Sequence, residues 1–166
     1  MLDNEAVIID GVKIIGSTLW TDFNHHNPLD MALARDSMSD YRVISFKAQD
    51  GTYHKLSPQV ILREHMVSLS FIADAIRDHD HCVVITHHAP CSMSVAPQYK
   101  NHPLNASYYT DLHNLILDNP QIKLWTHGHI HHASTYQLGE TLVALNPYGY
   151  PGEPGVDYHK NLILMV

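Results

Sequence analysis

The sequence predicts one α/β domain built on a mixed β-sheet, and three features of its pattern lead to that class. Two short apolar runs, 82–86 and 122–126, have the length of strands buried within a parallel sheet. A helical pattern precedes each run. A polar loop then follows each of them, and this order of helix, buried strand and loop is typical of α/β proteins.

The chain opens with a predicted β-hairpin. Residues 7–9 and 12–19 are apolar or alternate in polarity around the turn pair Asp10-Gly11. A short helix is predicted over residues 28–39, because Pro28 suits a first helical turn. Residues 49–52, Gln-Asp-Gly-Thr, form a predicted turn after it.

The most strongly marked helix begins at Ser57-Pro58, a good pair for the N-cap and the first helical position. Apolar residues then recur at helical spacing as far as Ile76. A long loop without periodicity is predicted over residues 91–107, and a second helix over 108–117 ends before Pro120. After the buried strand 122–126, three further strands are predicted: Ser134–Leu138, Thr141–Leu145 and 162–166.

Length and charge restrict the class of protein. The chain has 166 residues, 45% of them hydrophobic, which suits a single globular domain. A net charge of −7 gives no general attraction for nucleic-acid phosphates. No apolar run approaches the roughly 20 residues of a membrane helix, and two cysteines cannot form a disulfide framework. We therefore expect a cytoplasmic protein with neither a nucleic acid nor a membrane as its partner.

Histidine is the unusual residue, with 15 copies in the chain. It is the commonest metal ligand in proteins and a frequent carrier of protons. Most of these histidines stand alone in polar segments and are interpreted as ordinary surface or core residues. Two groups differ, because each follows the carboxyl end of a predicted buried strand, where open α/β sheets place their ligand sites. These groups are Thr86-His87-His88-Ala89-Pro90 and Thr126-His127-Gly128-His129-Ile130-His131.

The second group contains a His-x-His pair. Residues two apart in an extended segment project to one face, so His129 and His131 are expected to converge on one point. Gly128 would let the backbone or a ligand approach closely. The alternative is that these histidines cap loops by hydrogen-bonding carbonyl groups. We interpret His88, His127 and His132 as residues that support the ligands or lie at the surface.

With these two loops the chain resembles the calcineurin-like metallophosphoesterases. One family motif is a strand that ends in His followed shortly by Pro, present here over residues 83–90. The other is Gly-His-x-His, present as residues 128–131, and the later segment Asn146-Pro147-Tyr148-Gly149-Tyr150 is also similar. The resemblance extends over most of the chain.

The resemblance implies a partial four-layer α/β/β/α sandwich with mixed sheets, and hydrolysis of a small-molecule phosphoester at a pair of divalent ions. His87 and His129 would bind one ion and His131 the other. Mn, Fe or Zn would suit ligands of this kind. No catalytic residue is assigned, and His88 is taken as a residue that supports the ligands.

The family's early motifs begin with Gly-Asp or Gly-Asn, and neither dipeptide occurs in these 166 residues. We therefore expect residues 1–166 to be a single, incomplete domain, the carboxyl-terminal portion of a longer phosphoesterase. Three histidines are few for two ions, so metal binding should be weak and hydrolysis slow or absent. A sheet edge left uncovered should favour a homo-oligomer.

Other interpretations remain open. His87, His129 and His131 could form a mononuclear zinc hydrolase site with an open position for water. Residues 127–132 also approach the His-x-His-x-Asp-His pattern of metallo-β-lactamases, although His131 occupies the aspartate position. A non-catalytic metal-binding or interaction module is the alternative outside enzymes.

Overall fold

A six-stranded mixed sheet forms the centre of the computed structural model, which describes residues 2–48, 50–153 and 156–165. The strands of the chain are β1 (Glu5–Ile9), β2 (Val12–Ser17), β3 (Ser45–Lys47), β4 (Tyr53–Lys55), β5 (Cys82–Thr86), β6 (Ile122–Thr126), β7 (Ser134–Leu138) and β8 (Thr141–Leu145). The sheet has the order β1-β2-β5-β6-β8-β7, and β3 and β4 form a separate hairpin. Its inner neighbours β2, β5, β6 and β8 are parallel, and the two outer strands pair antiparallel. The α/β class is confirmed.

The helices are α1 (Phe23–His26), α2 (Pro28–Ser37), α3 (Asp40–Val43), α4 (Pro58–Ala75) and α5 (His113–Leu117). Helix α4 begins where the sequence predicts it, because the Ser57 side chain accepts a hydrogen bond from the Val60 N–H at 3.3 Å. The predicted hairpin of β1 and β2 and the predicted strands β5 to β8 are also present. None of the described helices combines the length and the apolar character needed to cross a membrane.

One face of the sheet carries the main core. Helices α4 and α5 pack against β2, β5, β6 and β8 there, around the fully buried Trp125. The indole Nε1 of Trp125 donates to Thr86 Oγ1 at 3.0 Å, and Thr86 Oγ1 donates to the His88 carbonyl at 2.8 Å. The core is therefore tied directly to the loop that follows β5.

The opposite face is covered only in part by the described residues. Val83, Leu124 and Ala144 form a small cluster on it, and Leu164 packs against them. Ile85, on the same face as Val83, is 42% exposed, so the prediction that β5 is buried on both faces is wrong at this residue.

The predicted strand over residues 162–166 is wrong for residues 162–165, and Val166 lies outside the described residues. Leu164 contacts residues of β5, β6 and β8, which already have partners on both sides. The segment therefore has no open strand edge to join. Ile163 and Met165 are 81% and 89% exposed.

The helix predicted over residues 108–117 is present only from His113. The N–H groups of Thr110 and Leu112 donate instead to the carbonyls of Ala89 and Pro90, at 3.2 and 2.8 Å. These long-range bonds hold the chain beside the loop after β5, so the helix cannot begin earlier. Helix α2 likewise ends at Ser37, two residues before its predicted end.

Strand β1 is an open edge of the sheet. All five of its residues are exposed, including Ile8 at 62% and Ile9 at 54%. Association of two copies through an uncovered edge remains a prediction, and β1 is the more exposed of the two end strands of this sheet.

Candidate metal centre

Three imidazole rings from two loops meet at the carboxyl ends of β5 and β6. These strands are parallel neighbours, so the loops that follow them leave the same edge of the sheet. The ring centroids of His87 and His129 lie 4.9 Å apart, those of His88 and His129 4.4 Å, and those of His87 and His88 5.1 Å. The structure thus brings together two of the predicted ligands and the residue predicted to support them.

Gly128 allows the two loops to approach closely. Its N–H donates to the His87 carbonyl at 3.1 Å. A Cβ at this position would lie 3.3 Å from His87 Nδ1, closer than side chains normally pack. A larger residue would therefore require the His87 ring to shift.

The backbone around His129 is not the extended segment that the sequence predicts. His129 has a φ of 60°, in the left-handed region, and residues 127–133 form no strand. The alternation of an extended chain does not apply to such a backbone, so that argument does not account for the placement of His129 and His131. The two residues still line the same cavity.

His131 is held by a carboxylate. Its Nδ1 lies 2.7 Å from Glu153 Oε2, and the same oxygen accepts a hydrogen bond from the Tyr150 N–H at 2.8 Å. The Tyr150 bond, followed by the His131 contact, lowers the pKa of Glu153. Carboxylates that bind one ring nitrogen orient many metal-ligating histidines, and here the Nε2 atom is left for a ligand.

The clustered imidazoles are held in the neutral form. Burial, followed by the neighbouring His87, lowers the pKa of His129 to about 4. Burial also lowers the pKa of His87, and that of His88 lies well below its usual value. Neutral imidazole is the form that binds metal ions.

His129 carries an unsatisfied nitrogen. Its Nε2 atom is buried and has no hydrogen-bond partner among the described residues. Buried polar atoms in native proteins nearly always have a partner, so an atom of this kind needs an explanation. A ligand in the adjoining cavity would supply one.

That cavity has a volume of about 740 Å³. It is lined by His87, His129 and His131 together with two carboxylates, Asp40 and Glu153. Asp40 lies in the first turn of α3, and its negative charge raises the pKa values of His87 and His129 against the effect of burial. No pattern in the sequence indicated Asp40. Its place at the site depends on how the segment between α2 and β3 folds, and no local motif marks that.

The donor set fits a divalent cation in kind, since it combines neutral imidazoles, an unsatisfied Nε2 and facing carboxylates. Among the described residues, however, no group of three or more His, Cys, Asp or Glu side chains is arranged to hold one ion. His88 Nδ1 lies 3.3 Å from the Thr18 carbonyl, and its ring packs on those of His87 and His129. A bound ion would have to draw these side chains into new rotamers.

A chain of hydrogen bonds supports the loop that carries His129. His127 Nδ1 lies 3.0 Å from the Gly128 carbonyl, which can only accept, so Nδ1 carries the proton. Burial lowers the pKa of His127 to about 4, so the ring is neutral and Nε2 accepts from Ser94 Oγ at 2.8 Å. Ser94 Oγ then accepts from the Tyr136 hydroxyl at 2.8 Å, and that oxygen accepts from Cys91 Sγ at 3.1 Å.

Replacement of Ser94 by Ala is expected to lower the free energy of unfolding by about 1–3 kcal/mol, because it leaves the buried His127 Nε2 without its donor and removes the acceptor of the Tyr136 hydroxyl. Urea unfolding at neutral pH measures this loss. Ser92→Ala is the matched control, since Ser92 is exposed on the same turn, Ser92–Ser94, and its substitution should cost less than about 0.5 kcal/mol. Equal losses of free energy of unfolding in the two variants would contradict the role of Ser94 in this series of hydrogen bonds.

No family model matches the chain. An uncharacterised protein of Acanthamoeba polyphaga mimivirus is 25% identical over 161 residues, which cover 92% of this chain and 55% of that protein. The chain therefore spans about half the length of this relative.

Proposed function

We propose that this chain carries the imidazole part of a calcineurin-like, divalent-metal-dependent phosphoesterase that acts on a small-molecule phosphoester. The observation that carries the proposal is the buried, unpartnered Nε2 of His129, at the point where imidazoles from two neighbouring strand ends meet. A structural cluster of histidines would be expected to satisfy that nitrogen internally.

In this proposal His87 and His129 hold one ion, and His131 holds the other. Glu153 fixes the His131 ring, and Asp40 contributes negative charge from the wall of the same cavity. His88 is a positioning residue, because its buried ring packs against both His87 and His129. When bound, a pair of Mn, Fe or Zn ions supplies a nucleophile from water and neutralises charge on the phosphoryl oxygens.

We further propose that the six-stranded sheet is one sheet of a four-layer α/β/β/α sandwich. Helices α4 and α5 cover one face, as that architecture requires. The cluster of Val83, Leu124 and Ala144 gives the opposite face an apolar surface, on which a second sheet could pack. With the ligands described here, metal binding is weak and hydrolysis slow.

The ligand assignment is tested by replacing single histidines with alanine. His87→Ala and His129→Ala should each weaken Mn²⁺ or Zn²⁺ binding roughly tenfold or more, because each removes an ion's direct ligand. Isothermal titration with each metal measures the affinity, and elemental analysis after dialysis gives the stoichiometry. His131→Ala should remove the second ion.

His79→Ala and His26→Ala are the controls, and both should keep the affinity of the parent chain. His79 Nε2 binds the Gly11 carbonyl at 2.9 Å, remote from the cluster. Equal metal affinity in all five variants would refute the ligand assignment. One tight zinc ion per chain would favour the mononuclear three-histidine site. Metal binding without hydrolysis of p-nitrophenyl phosphate or its diester would favour a non-catalytic module.

A further inference from the structure

Aromatic rings form much of the wall of the cavity beside the imidazole cluster. Tyr108 packs on His129 with ring centroids 4.8 Å apart, and Tyr150 packs edge-on against His131 at 4.8 Å. Tyr99 and His102 form a perpendicular pair at 6.2 Å on the same cavity. These contacts place aromatic surface next to the site proposed for the phosphoryl group.

Two of these tyrosines expose a large part of their surface. Tyr99 is 56% exposed and Tyr150 is 72% exposed. Tyr99 lies on a short 3-10 turn, Pro97–Tyr99, and its carbonyl accepts a hydrogen bond from the Asn105 side chain at 2.9 Å. Its backbone is therefore held while its ring is open to a planar ligand.

The charge of the cavity limits the kind of anion that it can accept. Its described lining includes Asp40 and Glu153 and contains neither Lys nor Arg. A ligand with several phosphates would bring many negative charges to these carboxylates without a cationic side chain to offset them. A ligand with a single phosphate, neutralised by bound cations, suits this wall better.

We propose that the cavity binds a planar aromatic ring joined to one phosphate, the chemical class of a nucleoside monophosphate. The ring stacks on the exposed Tyr99, with the perpendicular His102 ring beside it, and the phosphate faces His87 and His129. A volume of about 740 Å³ is ample for such a molecule. The phosphate half of this inference rests on the proposed function, whereas the ring half rests on the aromatic wall alone.

The two halves can be tested separately with adenosine, AMP and ribose 5-phosphate as probes. In the metal-free chain adenosine should bind more tightly than AMP, because the carboxylates repel the phosphate. Ribose 5-phosphate should not bind detectably. Isothermal titration gives the affinities, and saturation-transfer NMR identifies the part of each probe that contacts the protein.

Tyr99→Ala should weaken adenosine binding by about fivefold or more, a typical loss when a stacking ring is removed. Tyr99→Phe should bind adenosine almost as the parent chain does, because it keeps the ring. Tyr53→Ala is the matched control: Tyr53 is 72% exposed on β4 and does not line the cavity. Absence of adenosine binding, or equal affinities for Tyr99→Ala and Tyr53→Ala, would overturn the aromatic site.

Addition of Mn²⁺ tests the phosphate half. It should tighten AMP binding by tenfold or more, at about the level expected for one phosphate paired with a bound ion, and leave adenosine binding unchanged. If adenosine binds but Mn²⁺ does not tighten AMP binding, the aromatic site stands and the metal-dependent function fails. If Mn²⁺ tightens AMP and ribose 5-phosphate equally while adenosine does not bind, the metal site stands and the aromatic site fails.

Discussion

Acidification of the metal-free protein from about pH 7 to about pH 4.5 is expected to remove much of its free energy of unfolding. Burial lowers the pKa values of His65, His88, His127 and His129, to about 4 for the last two, against a usual value of 6.5. Below pH 6.5 the unfolded chain therefore takes up protons that the folded chain does not. Unfolding becomes more favourable as the pH falls, until the pH passes below the folded pKa values.

The expected loss is large for a domain of this size. One pKa unit corresponds to about 1.4 kcal/mol, so His127 and His129 each contribute on the order of a few kcal/mol. Small domains have only about 5–15 kcal/mol to lose. In the unfolded chain histidines take up protons near pH 6.5 and carboxylates only near pH 4, so the loss should begin near pH 6.5 rather than near pH 4.

Urea unfolding in EDTA at a series of pH values, followed by tryptophan fluorescence, measures the effect. His127→Gln should flatten the pH dependence, because it removes one of the buried titrating groups. His25→Gln should not change it, since His25 has an exposed side chain. A free energy of unfolding that stays constant from pH 7 to about pH 5 would contradict the prediction.

Replacement of Trp125 by Ala is expected to lower the free energy of unfolding by about 3–5 kcal/mol, the usual cost of removing a large aromatic side chain from a core. Trp125 is fully buried on β6, one of the two central strands, in the core cluster that includes residues of α4 and α5. The change also leaves Thr86 Oγ1 without the donor that it holds at 3.0 Å. The loss should therefore reach the loop of His87 and His88.

Denaturant unfolding followed by circular dichroism tests this prediction. Tryptophan fluorescence is less suitable, because in the variant it would come from Trp20 alone and report only on its surroundings. Trp125→Phe should cost less than Trp125→Ala, since it keeps most of the buried ring. Lys123→Ala, on the same strand, is the control, and the exposed contact of Lys123 with the Pro120 carbonyl should be worth less than about 1 kcal/mol. A loss below about 1 kcal/mol for Trp125→Ala would show that β6 is not the centre of the core.

Local signals in the sequence were sufficient to predict the main helices and strands. The Asp10-Gly11 turn, the Ser57-Pro58 cap and the apolar strands each depend on neighbouring residues, and the structure contains them. Helix α3 and the β3–β4 hairpin were not predicted, because elements of four and three residues leave little periodicity. The late start of α5 depends on hydrogen bonds to Ala89 and Pro90, more than twenty residues away.

The site was predictable where it depends on strand order. Parallel neighbours bring their carboxyl ends to one edge, and this placed His87 near His129. The left-handed backbone of His129 was not predictable, so the extended geometry assumed for residues 129–131 does not hold. Asp40, Glu153 and the tyrosines that line the cavity were missed, because they come from four separate segments of the chain.

The series of hydrogen bonds from Cys91 through Tyr136, Ser94 and His127 to the Gly128 carbonyl runs in one direction, because each group donates to the next. Reversal of one bond alone would set two protons or two lone pairs against each other, so the groups can change only in concert. The Gly128 carbonyl can only accept a hydrogen bond, and this fixes the donor and the acceptor of every bond in the series. One peptide oxygen therefore fixes the tautomer of His127 and the rotation of two hydroxyl groups. This oxygen belongs to Gly128, which directly precedes His129.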